Sequence, residues 1–380
     1  MLSDRSAPGE TGTINAWTRA VTDRRARGGP VVDLTGSNPT RVGLPYDEAA
    51  ILDALGDPRA LTYAPDPRGA LVAREALVAA GLAPGVDRVL LTASTSEAYA
   101  HLFTLLCDPG DEVLVPMPSY PLLAHLAHLS SITLSPYPTR HDGRWRAEPT
   151  DLFDAVSERT RAIVVVSPNH PTGAYADRDD LEAFAALGLP LIVDEVFHAY
   201  PLEAPADRPR AFALEGTESL VFSLDGASKR LALPQLKLGW ISVGGPEAAA
   251  MAALERLELI ADTYLSPSTT QLALPALLSC STAPDAIRAR TATNLAALRA
   301  ACVDTAATVP KVEGGWFAPV RLPATRTDEA WALALVEEGV LVHPGYFYDF
   351  PDDEAWIAVS LLTPEPDFAR GVDQIARLAR

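Results

Sequence analysis

Short apolar, β-branched runs alternate with longer Ala/Leu-rich stretches along most of the chain. The runs Val89–Thr92, Glu112–Pro116, Ile132–Leu134, Ala162–Ser167, Leu189–Asp194, Leu220–Ser223 and Leu238–Val243 predict seven strands. Most are apolar at successive positions rather than at every second one, the mark of strands covered on both faces. Between them, Ala70–Ala80, Ser96–Leu106, Arg178–Leu187 and Glu247–Leu259 predict helices. That order predicts an α/β fold, a mostly parallel seven-stranded sheet with helices on both faces. A long Ala/Leu stretch from Ser268 leads into a helix at Ala286–Ala301. The rhythm then changes to strand Trp316–Leu322, helix Asp328–Glu338, strand Trp356–Leu361 and a last helix from Asp367. We expect a large domain over residues 46–284, and a smaller α+β domain made from residues 1–45 and 285–380.

Composition narrows the function classes. A length of 380 residues suits two domains, and 48% hydrophobic with 21% charged residues is globular. The net charge of −18 repels phosphate backbones and anionic lipid surfaces, so neither nucleic acid nor membrane is an expected partner. No apolar run approaches the roughly 18 residues of a membrane span, and Met1–Glu10 is polar, without a signal-peptide core. Cys107, Cys280 and Cys302 are odd in number, far apart and outside metal-ligand spacing, which suits small core residues in a reducing compartment. The expected location is cytoplasmic.

Of the 31 cationic residues only Lys229, Lys237 and Lys311 are lysines. Biased base composition accounts for Lys311, in a turn after Pro310. For the other two, chemistry offers a reason: an amine can lose its proton and condense with a carbonyl, whereas a guanidinium in practice cannot.

Dinucleotide, P-loop, zincin, CxxC and nucleophile-elbow signatures are absent. What ends the predicted strands is a series of polar clusters, at the sheet edge where open α/β folds bind ligands. Thr92-Ala93-Ser94-Thr95-Ser96-Glu97 leads into a helix; it reads either as a plain N-cap or as an anion site built from helix N–H groups and hydroxyls. Pro116-Met117-Pro118-Ser119-Tyr120-Pro121 would hold a ring rigidly, or is a Pro-rich turn. Ser167-Pro168-Asn169-His170-Pro171-Thr172-Gly173 follows the next strand. Asp194-Glu195 ends a very apolar strand, where a carboxylate is costly without a cation or strong donor. Ser223-Leu224-Asp225-Gly226-Ala227-Ser228-Lys229-Arg230 carries one rare lysine, and Lys237 precedes the last strand.

Taken in this order over Leu34–Leu361, the clusters resemble the class I/II aminotransferases, fold-type I pyridoxal-phosphate enzymes. The pattern Ser-Lys-x4-Pro-x2-(Arg/Lys)-x-Gly reads here as Ser228-Lys229, Pro234, Lys237 and Gly239. The resemblance implies pyridoxal 5'-phosphate bound to Lys229 as a Schiff base, with Ser228 beside it. It implies Asp194 pairing with the pyridine nitrogen, Tyr120 stacking on the ring and acting in catalysis, and Ser94, Thr95 and Ser96 cradling the phosphate. Tyr63 matches a tyrosine that reaches across a homodimer to the neighbour's phosphate. Gly36 and Asn38 match the segment near the substrate carboxylate.

Four positions depart from the family pattern. Lys237 stands for the phosphate-binding Arg. His170 replaces the Asn that bonds the coenzyme O3′, leaving His170 or Asn169 to substitute, or His170 as a turn residue. Phe197 replaces the tyrosine that is the other O3′ partner, and Ala358 stands where the carboxylate-binding Arg belongs. Arg321 and Arg68 are candidate replacements for that Arg, or ordinary surface residues; His343 and backbone amides are a further option. Trp316, Phe317, Tyr346 and Phe347 form either an apolar wall of the pocket or core. The resulting expectation is a dimeric aminotransferase moving an amino group between an amino acid or related amine and a 2-oxo acid, with no metal. A lyase, decarboxylase or cyclising synthase on the same scaffold is the alternative, and a non-catalytic coenzyme-sensing regulator a remote one.

Overall fold

A computed structural model describes residues 3, 5, 14–265, 268–280 and 282–380. The polar start read at Met1–Glu10 therefore lies, apart from Ser3 and Arg5, outside the described residues.

Thirteen strands are seen among the described residues. β1 (Val32–Asp33) pairs in parallel with β11 (Val340–Leu341). The central sheet holds β2 (Val89–Thr92), β3 (Glu112–Met117), β4 (Thr133–Asp142), β5 (Arg144–Ala147), β6 (Thr160–Val166), β7 (Leu191–Asp194), β8 (Val221–Gly226) and β9 (Gly239–Gly244). Their order is β2-β9-β8-β7-β6-β3-β4-β5. β4, β3, β6, β7 and β8 run parallel, while β9 is antiparallel to both neighbours. The sheet thus has eight strands, one more than the apolar pattern predicts. The extra strand is β5, which folds back on β4 through Gly143 in a half-exposed antiparallel hairpin. Its polar residues and the prolines of β4 give no apolar run, so local hydrophobicity does not betray it.

Both faces of the sheet are covered, as continuous apolar strands require. Val113, Val115, Val164, Ile192, Phe222 and Ile241 meet helices Thr95–Leu106 and Glu247–Thr263 on one face. The alternate residues Leu114, Ile163, Val165, Leu191, Val193 and Val221 meet helix Arg178–Ala185 on the other. Period-two alternation puts neighbours in different core clusters, so truncating either costs about 2–5 kcal/mol. Helix Arg178–Ala185 is set by a reciprocal capping box between Asp177 and Asp180.

The C-terminal part forms a second sheet from β10 (Phe317–Leu322), β12 (His343–Pro344) and β13 (Ala355–Ser360), in the order β10-β13-β12. Leu34 and the spaced residues Phe368, Val372 and Ile375 of the last helix share its core. Gly371 lets that helix close on Leu34, whose Cδ1 would lie 2.8 Å from an added Cβ. The N-terminal segment is thereby tied to the C-terminal sheet.

Candidate active site

Register places several strand ends in one row. Gly239 at the start of β9 lies opposite both Thr92 at the end of β2 and Gly226 at the end of β8. The carboxyl ends of β2, β3, β6, β7 and β8 therefore share one edge with the amino end of β9, and every polar cluster of the sequence emerges there.

At the β2 end, Ser94 caps helix Thr95–Leu106, its Oγ accepting from the Glu97 N–H at 3.2 Å. Thr92 Oγ1 donates to the Ser94 carbonyl at 2.9 Å, and the Glu97 carboxylate accepts from the Ala93 N–H at 2.5 Å. The cap reading of Ser94 is therefore realised. Thr95 and Ser96 occupy the first turn, part-exposed. Gly239 presses against this turn: an added Cβ would lie 2.9 Å from the Ser94 carbonyl carbon and 3.0 Å from the Thr95 nitrogen. Lys237, exposed at φ +50°, leads into β9 beside it. The turn is a concave, donor-rich end suited to a phosphate.

Asp194 ends β7. Its Oδ1 accepts from the Val196 N–H at 3.1 Å and its Oδ2 from the Tyr99 hydroxyl at 3.2 Å. Burial pushes its carboxyl up to about 6 against those two donors, with Asp225 and Glu195 adding to the rise. Tyr99 gave no signal beyond a helical aromatic; only packing shows it facing Asp194. Lys229 leaves the helical turn Ala227–Arg230, which also carries part-exposed Ser228. Its Nζ lies 5.5 Å from the Phe197 ring centre and 5.1 Å from that of Trp316. Burial lowers its pKa, opposed by Asp194, so the amine loses its proton more readily than a surface lysine. The Tyr200 hydroxyl anchors the Lys229 carbonyl.

His170 stands amid rings: Phe317 at 4.6 Å, Tyr348 at 5.2 Å, Tyr120 at 5.5 Å and Phe197 at 6.0 Å. Burial, then the Lys229 and His343 charges, pushes it down to about 3, so the imidazole is neutral. Asn169 is spent on its own turn: its Oδ1 accepts from Thr172 Oγ1 at 2.8 Å and its Nδ2 donates to the Pro118 carbonyl at 3.3 Å. Of the two candidates for the missing amide, His170 is the one among the site rings. Tyr120 is 46% exposed with its ring edge-on to His170, and the buried Ser119 Oγ beside it finds no hydrogen-bond partner among the described residues. His343 lies opposite Ala358 across β12 and β13, with Nδ1 2.6 Å from the Tyr348 hydroxyl. Burial pushes His343 down to about 4. Trp316 and Phe317 serve as core and wall at once, both being buried while their rings face Lys229 and His170.

Other sequence candidates are held elsewhere. Arg321 pairs with Glu354 at 2.7 Å, four residues along β10 from Phe317. Arg68 pairs with Glu258 at 2.7 Å. Neither guanidinium joins the cluster, because each has a carboxylate closer at hand. Gly36 enters through its carbonyl, which accepts from Ser360 Oγ, and Asn38 Oδ1 caps Thr40 at 3.0 Å. Tyr63 is 84% exposed.

The class I and II aminotransferase family matches residues 36–375. Alanine aminotransferase of Mycobacterium tuberculosis is 30% identical over 256 residues, 64% of this chain and 58% of that protein. Glutamate-pyruvate aminotransferase AlaA of Escherichia coli K12 is 28% identical over 63% of this chain and 60% of its own length. The match thus spans less than two thirds of either relative. Among solved structures, alanine aminotransferase from Pyrococcus furiosus superposes with a TM-score of 0.86 over 100% of this chain and 99% of its own, at 22% identity. A Thermus thermophilus aspartate aminotransferase single mutant gives 0.80 over 100% and 99%, at 26% identity.

Proposed function

This chain belongs to the class I and II aminotransferase family, and from that membership we propose that it is a pyridoxal-phosphate-dependent aminotransferase. It moves an amino group between an amino acid or related amine and a 2-oxo acid, with Lys229 as the point of covalent attachment. One observation carries the reading: an amine and a two-donor carboxylate follow the ends of neighbouring strands β8 and β7, act on each other, and stand beside the rings of Phe197 and Trp316.

The residues fit the coenzyme on their own chemistry. The helix turn at Ser94–Ser96, pressed against Gly239 and flanked by Lys237, suits the phosphate. Asp194, costly to ionise alone, suits a cationic ring nitrogen, which would draw its pKa back down. Tyr120 offers a face, His170 a neutral edge, and Ser119 an unused hydroxyl. Bound there, the coenzyme supplies an electron sink for a carbanion at the substrate carbon bearing nitrogen. Lys229 Nζ would hold the coenzyme covalently and, when free, would be placed to carry a proton to and from that carbon. The rings of Phe197 and Trp316 lie 5.5 and 5.1 Å from Nζ and give it an apolar flank on that side. Tyr99 and the Val196 N–H hold the Asp194 carboxylate in place.

Ala358 opposite His343 puts no guanidinium at that register, which favours testing amines without a carboxylate beside amino acids. It also keeps a lyase, decarboxylase or cyclising synthase as the second reading. We place the active form as a homodimer: Leu61 is 91% and Tyr63 84% exposed on one stretch, apolar surface that a second copy would cover while taking Tyr63 towards its phosphate. The division into residues 46–284 and residues 1–45 with 285–380 is supported by the pairing of β1 with β11. A cytoplasmic location is consistent with unpaired Cys107, Cys280 and Cys302, and no helix among the described residues is long and apolar enough to cross a membrane. To test the function, the protein is loaded with pyridoxal phosphate and its visible absorbance followed as single amine donors are added, with Lys229→Ala as control. Loss of the band with one equivalent of carbonyl product supports transamination. Recovery of the band with a rearranged or decarboxylated product supports the second reading.

A further inference from the structure

The two charged residues of the pocket are each chain neighbours of one buried ion cluster. Glu195 follows Asp194, and Arg230 follows Lys229. Arg210, arriving on the loop before Ala211–Ala213, joins them through Asp225. Its NH1 donates to Asp225 Oδ2 at 2.9 Å, and its Nε lies 3.0 Å from Glu195 Oε2. Arg230 donates to the same Asp225 oxygen from Nε at 2.8 Å. Asp225 Oδ1 accepts from the Gly226 N–H at 2.7 Å, and Glu195 Oε1 from the Ala211 N–H at 3.0 Å. Both carboxylate side chains are at most 1% exposed. Two sealed anions and two mostly buried cations thus lie beside the strand ends that deliver Asp194 and Lys229.

Stability alone is a weak reason for such a cluster, since well-packed apolar residues of similar volume often stabilise a core as much or more. Its fit is also imperfect: among the described residues Arg210 Nη2 is buried without a hydrogen-bond partner, and Arg210 Nε and Glu195 Oε2 meet only as an ion pair. Its charge, however, is balanced only while Arg210 is present, and Asp225 and Glu195 both act on Asp194. We propose that Arg210 is a positioning residue for the reaction: by neutralising Asp225 and Glu195 it leaves Asp194 able to ionise beside Lys229 and fixes the spacing of the two. The inference rests on the aminotransferase reading above. Around Asp194 the titratable groups are Tyr99, Tyr120, Glu195, Asp225 and Lys229, with His170 and His343 beyond the lysine. Arg210 and Arg230 are the cations of the cluster itself.

The sign of the effect separates this role from a structural one. Arg210→Met leaves excess negative charge, which raises the proton affinity of Asp194 and Lys229. Glu195→Gln, isosteric and still able to accept from Ala211, leaves excess positive charge and lowers both. The test is a pH titration of the visible absorbance of the pyridoxal-phosphate-loaded protein, in wild type, Arg210→Met, Arg210→Lys and Glu195→Gln. The expected result is midpoints displaced in opposite directions, by about half a unit or more each, with Arg210→Lys near wild type. Midpoints that stay put, or move the same way in Arg210→Met and Glu195→Gln, overturn the inference alone. If Arg210→Met does not fold, Glu195→Gln against wild type decides by its direction. A wild-type protein that forms no band lost in Lys229→Ala overturns the coenzyme reading and this inference with it.

Discussion

Replacing Asp194 with Asn should stabilise the coenzyme-free protein at neutral pH while weakening its hold on the coenzyme. Without a cationic ring nitrogen opposite, the ionised carboxylate sits in a desolvated place, and its pKa stands at about 6 instead of 3.8. A folded-state pKa above the unfolded one means a stabilising contribution that is complete below the unfolded value and is lost as pH rises through the folded one. The window is therefore pH 3.8 to about 6, and above it the full cost applies. Two units correspond to about 3 kcal/mol. The amide also gives up a charged acceptor for the Tyr99 hydroxyl or the Val196 N–H, which returns about 1 kcal/mol. A net gain of about 1–2 kcal/mol at pH 8 raises the melting temperature by about 1–3 °C in a chain of this size. Thermal unfolding of both proteins, coenzyme-free, at pH 8 and pH 4.5 measures it, and the gain should shrink at the lower pH. With pyridoxal phosphate added at pH 8 the order should reverse. A variant less stable than wild type at pH 8, or equally displaced at both pH values, would refute the argument.

Other substitutions probe the remaining parts. Gly239→Ala brings a Cβ against backbone atoms of Ser94 and Thr95, so coenzyme affinity should fall at least tenfold and stability by about 1–3 kcal/mol, read by equilibrium dialysis and thermal unfolding. Lys237→Arg offers a two-pronged donor in place of a point charge and should tighten coenzyme binding a few-fold, an effect weakened by added salt. Lys229→Ala should bind coenzyme without the covalent band and lose at least about a thousandfold in turnover, measured with any donor the wild type accepts. Leu61→Asp puts a charge in the exposed apolar stretch and should yield monomers of reduced activity by sedimentation.

How far the sequence reaches can be followed residue by residue. The strands of the parallel sheet were legible because both faces are buried, so each must be apolar at successive positions, and a pattern of that kind is written locally. Lys229 stood out as a candidate because lysine is rare in an arginine-rich chain, and Asp194 because an acid ending an apolar strand demands a partner; the structure brings the two together and gives Asp194 two donors. What could not be read is which of several possible partners each group meets in space. Strand β5 has no apolar run, since it forms a half-exposed hairpin in which only Trp145 is buried. Asn169 turned inward on Thr172 and Arg321 bonded to Glu354 because each met a nearer partner than the pocket, and sequence does not rank competing partners. The hydroxyl of Tyr99 facing Asp194 spans 95 residues, and the meeting of Arg210 with Asp225 depends on a loop reaching under the sheet edge. Burial pattern is a property of each segment alone and survives in the sequence. The proton affinities of Asp194, Lys229 and His170 come from desolvation and from charges on other segments, and only the assembled chain sets them.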